Sequence, residues 1–269
     1  MITSKGFSTG LYGYQVEYWK DGKDPSMEEI FRTCANAGMQ ALEIDPTPEL
    51  LSLAKQFGLA VSGSYIGLQL HEPFESLNIE ETVLPVAKRL AEAGATDLVI
   101  NADPKGGWDA PELKTEEEFK QQGVNLTRIA DAVRGHDLKV SMHNHASDKH
   151  NAEGDLRSVI EYASQEVGLC VDTGWAHVAG MNPVDMLKAY PDRIYAFHFR
   201  NQFGRVPSEN LSVGEVDMKE LLAVASEINY NGWLTFELLH EEATNAKQTL
   251  EEATASSIAY LNACIKELG

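Results

Sequence analysis

Eight short runs suited to β-strands, at 6–11, 40–45, 59–65, 96–101, 138–144, 167–172, 193–199 and 232–238, alternate with helical patterns along the whole sequence. No other feature constrains the fold as much. A helix between two strands returns the chain to the same edge of a sheet, so the strands must pair in parallel. Eight such units in roughly 250 residues predict an α/β fold, a single (β/α)8 or TIM barrel. The rival, a doubly wound sheet, lacks its usual nucleotide signature here, because no GxGxxG follows a strand.

The helical segments carry matching punctuation. In "SMEEIFRTCANAG" Ser26 and Glu29 predict a capping box and Gly38 a C-terminal stop. "TPELLSLAKQFG" repeats this with Thr47, Pro48 and Gly58, and "NPVDMLKAYPD" with Asn182 and Pro183. Further helices are expected at 78–93, 115–134, 155–165, 217–229 and 247–267, one after each strand with none left over. The acidic "TEEEF" reads as the first turn of a helix, where carboxylates suit the dipole. With no linker or low-complexity block, residues 1–269 are expected to form one domain.

Composition narrows the partners. The 41 acidic against 22 basic side chains give a net charge of -19, which repels polyanions, so nucleic acid and anionic membranes are not expected partners. Arg200 and Arg205 could still hold one small anion. "MITSKGFSTG" has no apolar leader and no run of about 18 apolar residues occurs, from which a cytoplasmic protein is expected. The three cysteines, Cys34, Cys170 and Cys264, are odd in number and widely spaced, which predicts buried free thiols. His71, His136, His150 and His240 fall in loops or near helix ends and are expected at the surface. Oligomeric state is left open, a homo-oligomer included.

The chemistry collects at strand ends. In a TIM barrel the C-terminal strand ends form one rim, where residues distant in sequence converge. Strand five ends in "VSMHNHASD", strand six in "CVDTGWAHVAG", strand seven in "FHFRNQ" and strand eight in "FELLHEEA". Asp172, His198 and Glu237 are therefore predicted within a few ångströms of one another, with His143 or a neighbour. Such mixed oxygen and nitrogen donors suit one divalent ion, Mn²⁺, Mg²⁺, Co²⁺ or Zn²⁺. The competing view is that each residue merely satisfies a neighbour. Four consecutive strands with such endings weigh against it, since unpaired buried carboxylates are costly and a metal relieves that cost. Glu43, at the end of strand two, is either a ligand to a substrate hydroxyl or a solvated rim carboxylate.

The stretch "CVDTGWAHVAGMNPVDMLKAYPDRIYAFHFRNQ", followed by "NYNGWLTFELLHE", resembles the sugar-phosphate isomerase/epimerase superfamily of xylose isomerase-like barrels. That group also includes endonuclease IV, ketose 3-epimerases, inosose dehydratases and 3-dehydroshikimate dehydratases. The likeness covers mainly residues 138–240; the first half matches only in its βα rhythm. It implies a metal held by Asp172, His198 and Glu237. Where most members have Glu-x-His after strand five this chain reads "HNH". His143 then stands at the ligand position and His145 at that of a catalytic or substrate-binding histidine, with Asp148 the alternative fourth ligand and His143 favoured. Many members carry His where Trp175 falls, which leaves that role to His177 or to no residue, and Trp175 either stacks on a sugar or packs under a loop. Arg200 and Asn201 occupy the place of a "KD" or "KN" pair that would touch a hydroxyl or phosphate, or Arg200 neutralises an acidic rim.

The resemblance implies proton removal next to the carbonyl of a small sugar or polyol. Glu237 is one candidate base and His145, with an imidazole ordinarily near neutral, the other. The expected activity is a metal-dependent isomerase or epimerase acting through an enediolate. The alternative is a dehydratase of inosose or 3-dehydroshikimate type, to which the His in place of Glu lends weight. A non-catalytic sugar-binding barrel stands further off. So does a DNA-repair endonuclease, which the charge and the lack of a basic stripe disfavour.

Overall fold

The computed structural model describes residues 3–268; Met1 and Ile2 of the N-terminal stretch discussed above lie outside the described residues. Eight parallel strands close into a barrel in sequence order: Gly6–Gly10, Ala41–Glu43, Ala60–Leu68, Asp97–Ala102, Lys139–His143, Val167–Asp172, Ile194–Phe199 and Trp233–Phe236. Strand one pairs with both strand two and strand eight, which completes the ring. All eight expected strands are present, their ends shifted by a few residues at most. The strands read as near-continuous apolar runs because helices cover the outside and side chains fill the inside, so both faces are buried.

The helices follow the expected grammar with three corrections. Helix Met27–Asn36 is capped by Ser26, but its box is only half formed because the Glu29 carboxylate accepts instead from the Tyr18 hydroxyl at 2.6 Å. The segment 78–93 is two helices, Ile79–Thr82 and Leu84–Glu92, with Pro85 in the first turn of the second. Helix Lys149–Ile160 starts six residues earlier than expected, because Asp148 caps it. Thr47 and Asn182 cap their helices as predicted, and "TEEEF" does open a helix, Glu116–Val133, behind a Thr115/Glu118 capping box that was not foreseen. Two helices were not foreseen, Tyr12–Lys20 after strand one and Thr173–Val178 after strand six. A two-stranded hairpin, Gln202–Phe203 with Val206–Pro207, follows strand seven.

The three cysteines are free and buried, as expected. The surface expectation fails for two histidines. His71 is 7% exposed and His240 5% exposed, the latter because its Nε2 bonds the Glu209 carbonyl at 2.8 Å beneath the loops that follow strands seven and eight. Among the described residues no helix is long and apolar enough to cross a membrane.

Asp97 opens strand four at the barrel end remote from the strand termini discussed below, and it is 5% exposed. Burial pushes its carboxyl up to about 6, despite the hydrogen bond from Thr96 Oγ1 at 3.1 Å and the nearby Lys5. The unfolded chain releases that proton near the usual value of ~4. Between those two pH values the native state binds more protons, so stability falls as pH rises through the window and stays lowered above it. Asp97→Asn is therefore expected to raise the unfolding free energy at pH 8 by up to ~3 kcal/mol, with little gain at pH 4. Urea unfolding at the two pH values checks this; an equal effect at both would count against it.

Candidate metal centre

Strand parity builds the site. On strand seven Phe197 and Phe199 pack outward, stacked on each other at 5.0 Å, so the intervening His198 points into the barrel. Register sets His198 level with Asp172 on strand six and Thr235 on strand eight, and Asn101 on strand four level with His143 on strand five. Glu237 follows directly after strand eight. One nitrogen or oxygen from each of His143, Asp172, His198 and Glu237 lies within 4.8 Å of every other. Sequence reasoning had placed these four strand ends together, and the structure brings them together.

The ring nitrogens divide their work. His143 Nε2 lies 3.5 Å from Asp172 Oδ2 and 3.5 Å from Glu237 Oε2, while its Nδ1 lies 3.3 Å from Asn101 Oδ1. His198 Nδ1 meets Glu237 Oε2 at 2.7 Å, and its Nε2 meets the Glu43 carboxylate at 3.1 and 3.2 Å. Burial alone would hold both imidazoles below their ordinary value. For His143 the nearby Asp172 and Glu237 carboxylates outweigh it; for His198 the Cys170, Glu43 and Glu237 contacts do, so both are raised. Glu237 shows the converse: burial pushes it up, but the His143 and His198 imidazoles beside it hold it well below the usual carboxylate range.

The residues fit a divalent ion. His143 Nε2 and Asp172 Oδ2 are buried, face each other, and have no hydrogen-bond partner, although such buried atoms in proteins are nearly always paired. A cation between them would satisfy both. Asp172 serves two ends, since its Oδ1 accepts from the Trp175 backbone at 2.6 Å and caps helix Thr173–Val178, which leaves Oδ2 for the cluster.

The other predicted site residues are distributed as follows. Asp148 stands outside the cluster, with Oδ1 accepting from Asn151 N at 2.8 Å and Oδ2 from Asn151 Nδ2 at 2.9 Å. Its carboxylate is occupied by the helix cap. His145 lines the cavity between Trp108 and Trp175, with ring centroids 4.7 and 4.1 Å away. Burial, then the charge of His143, pushes His145 down to about 3, so the expectation of an imidazole near neutral does not hold there.

Arg200 passes over Gly174, where an added Cβ would sit 2.5 Å from its Cγ, and stacks on Trp175 at 4.8 Å. Its Nη1 reaches Glu237 Oε1 at 3.5 Å. Asn201 turns away from the cavity and ties down the following loop: its amide nitrogen donates to Leu211 and Val216 carbonyls, and its oxygen accepts from Gln202 N and Val216 N. His177 bonds Glu215 at 2.9 Å and does not line the cavity. Glu43 is buried against His198 rather than solvated.

Above the cluster opens a cavity of about 860 Å³, lined by Tyr12, Tyr65, Trp108, Trp175 and Arg205 among others. Sequence reasoning missed Tyr65, Trp108 and Asn101. Asn101 had a readable signal, a polar residue closing the apolar run "DLVIN", but strand ends before strand five were given little weight. Trp108 sits in a loop without periodicity.

A closed parallel barrel whose C-terminal rim gathers two imidazoles and two carboxylates is a TIM-barrel protein with a site able to hold a divalent ion. The chain belongs to the xylose isomerase-like TIM barrel family, whose pattern it matches over residues 15–264. It is 24% identical over 258 residues to an inosose dehydratase of Geobacillus kaustophilus, covering 82% of this chain and 83% of that one. In fold it is similar to the IolI protein with a bound zinc atom, with a TM-score of 0.75, 18% identity and coverage of 98% and 99%. It is similar also to the D-allulose 3-epimerase of a Methylomonas species in complex with D-allulose, with a TM-score of 0.71, 15% identity and coverage of 98% of each chain.

Proposed function

We infer that this protein is a metal-dependent dehydratase of a keto-polyol, of the inosose type, with Glu237 as the group that moves the proton. The observation that carries this is the accessibility of the four groups. Of the four, Glu237 is the most open: its side chain is 21% exposed and lines the cavity beside that of His198, while the His143, Asp172 and His198 side chains are 0 to 4% exposed. An epimerase that works on both faces of a carbon needs a second base across the substrate. Here strand five offers His143, buried and turned toward Asp172 and Glu237, in place of the glutamate expected from the resemblance. Within the cluster one carboxylate is accessible, which suits a reaction confined to one face. The likeness to inosose dehydratases over four-fifths of the chain supports the same reading.

His143, Asp172, His198 and Glu237 would hold the ion, which when bound supplies a Lewis acid that polarises a carbonyl oxygen. Glu237 takes the proton from the carbon next to the substrate carbonyl as the C–H bond breaks. The electron pair forms a C=C bond as the C–O bond to the β-hydroxyl breaks. The same carboxyl then returns its proton to the departing oxygen, so water leaves and Glu237 is restored. Arg200, at 3.5 Å from Glu237, keeps the carboxylate oriented between these two transfers. His145, neutral at working pH, offers a ring nitrogen to a substrate hydroxyl. Trp108 and Trp175 flank it and shield the reacting carbons from water.

The isomerase reading ranks second, favoured by the same one-faced carboxylate, which could return its proton to the neighbouring carbon. Incubation of metal-loaded protein with keto-inositols and ketoses in D₂O separates the two. The dehydratase produces a new ultraviolet-absorbing enone with loss of one water. Deuterium gained at carbon with no loss of water would move the assignment to the isomerase.

A further inference from the structure

The metal-binding reading above leaves open which ion the centre takes, and the geometry points to an imidazole-preferring ion such as Zn²⁺, selected over Mg²⁺ and Mn²⁺ by His143, with Asn101 as its positioning residue. This inference rests on that reading and deepens it. His143 sits where a third carboxylate would make the centre richer in oxygen. With His143 present the donors are two ring nitrogens and two carboxylates, and imidazole suits Zn²⁺ whereas oxygen donors suit Mg²⁺ and Mn²⁺.

The ring can serve only if its free lone pair faces the cluster, and the surroundings arrange this. Asn101 is fully buried and level with His143 in the sheet. Its Nδ2 donates to Asp103 Oδ1 at 2.7 Å, which leaves Oδ1 as the end facing His143 Nδ1 at 3.3 Å. Asn101 Oδ1 thus favours a proton on His143 Nδ1, which leaves Nε2, without another partner, as the atom that would give its lone pair to an ion beside Asp172 and Glu237. Tyr65 stands edge-on to the ring, with centroids 5.2 Å apart and planes at 78°, and resists its rotation. Glu43 does for His198 what Asn101 does for His143, taking Nε2 and leaving Nδ1 toward the cluster.

Competition calorimetry on the chelator-treated full chain tests this with Zn²⁺, Mn²⁺ and Mg²⁺ alone, without substrate. Wild type is expected to bind one Zn²⁺ per chain. In His143→Glu the ratio of Zn²⁺ to Mn²⁺ affinity is expected to fall by roughly 10-fold or more, a comparison in which the intrinsic order of the ions cancels. Asn101→Ala should weaken Zn²⁺ by about 10–100-fold and alter the visible spectrum of the Co²⁺-loaded protein, which loss of packing alone would not do. If His143→Glu does not fold, His143→Gln serves for the same ratio. An unchanged ratio overturns the inference and leaves the dehydratase reading standing. Failure of wild type to bind any of these ions removes both.

Discussion

Glu237→Gln is expected to lower turnover by roughly 10²–10⁴-fold, the usual contribution of a positioned acid–base group. The amide keeps the shape of the carboxylate but cannot take a proton. The loss should fall on kcat rather than KM, because the proton moves only in the transition state. Glu237 also belongs to the cluster, so the variant must be assayed at metal concentrations shown by calorimetry to saturate it. Its neighbours set the outcome further: His143, His198 and Arg200 all approach this one carboxylate. Those contacts hold it ionised, the form a base must have before it takes a proton. A loss smaller than about 10-fold at saturation would assign the proton transfer to another residue, with His145 the next to test.

Lys114→Met is expected to cost ~3–5 kcal/mol of stability, because it leaves the Asp155 carboxylate charged, buried and unpaired. Both side chains are 2% exposed and the pair is 3.0 Å apart. Gln122 braces both members, accepting from Lys114 Nζ at 3.1 Å and donating to Asp155 Oδ1 at 2.9 Å. The backbone of Lys114 adds bonds to Asn151 and His150, which fastens the loop after strand four to helix Lys149–Ile160. Trp108 lies on that loop beside His145, so loosening it should also raise KM. Lys114→Met/Asp155→Leu removes both charges and is expected to recover a large part of the loss. Urea unfolding of the single and double variants reads this directly. A single variant within ~1 kcal/mol of wild type would mean that the pair is solvated in solution.

What the sequence made legible follows from what is periodic. The strands, most helices and the four cluster residues all obey local rules: apolar runs, caps, and polar residues at strand ends. Helix Tyr12–Lys20 escaped because Leu11 gives it no side-chain cap and its first turn holds no acidic residue. Helix Thr173–Val178 escaped because its cap is Asp172, which had been assigned to the cluster and in fact serves both. Asp148 shows the reverse, a cap mistaken for a possible ligand. The partners of Glu43 and Asn101, as distinct from their places at strand ends, were out of reach for another reason. Glu43 meets His198 across the barrel interior, from strand two to strand seven, and Asn101 meets His143 across a strand pair. No pattern along one strand encodes such a meeting.

X-ray diffraction from crystals soaked in Zn²⁺, collected on both sides of the zinc absorption edge, tests the central claim most directly. The account predicts one anomalous peak per chain, bonded to His143 Nε2, Asp172 Oδ2, His198 Nδ1 and a Glu237 oxygen, at the ~2.0–2.2 Å expected for zinc with such donors. A peak that avoids these four residues, or one that persists unchanged in Asp172→Ala, would contradict it.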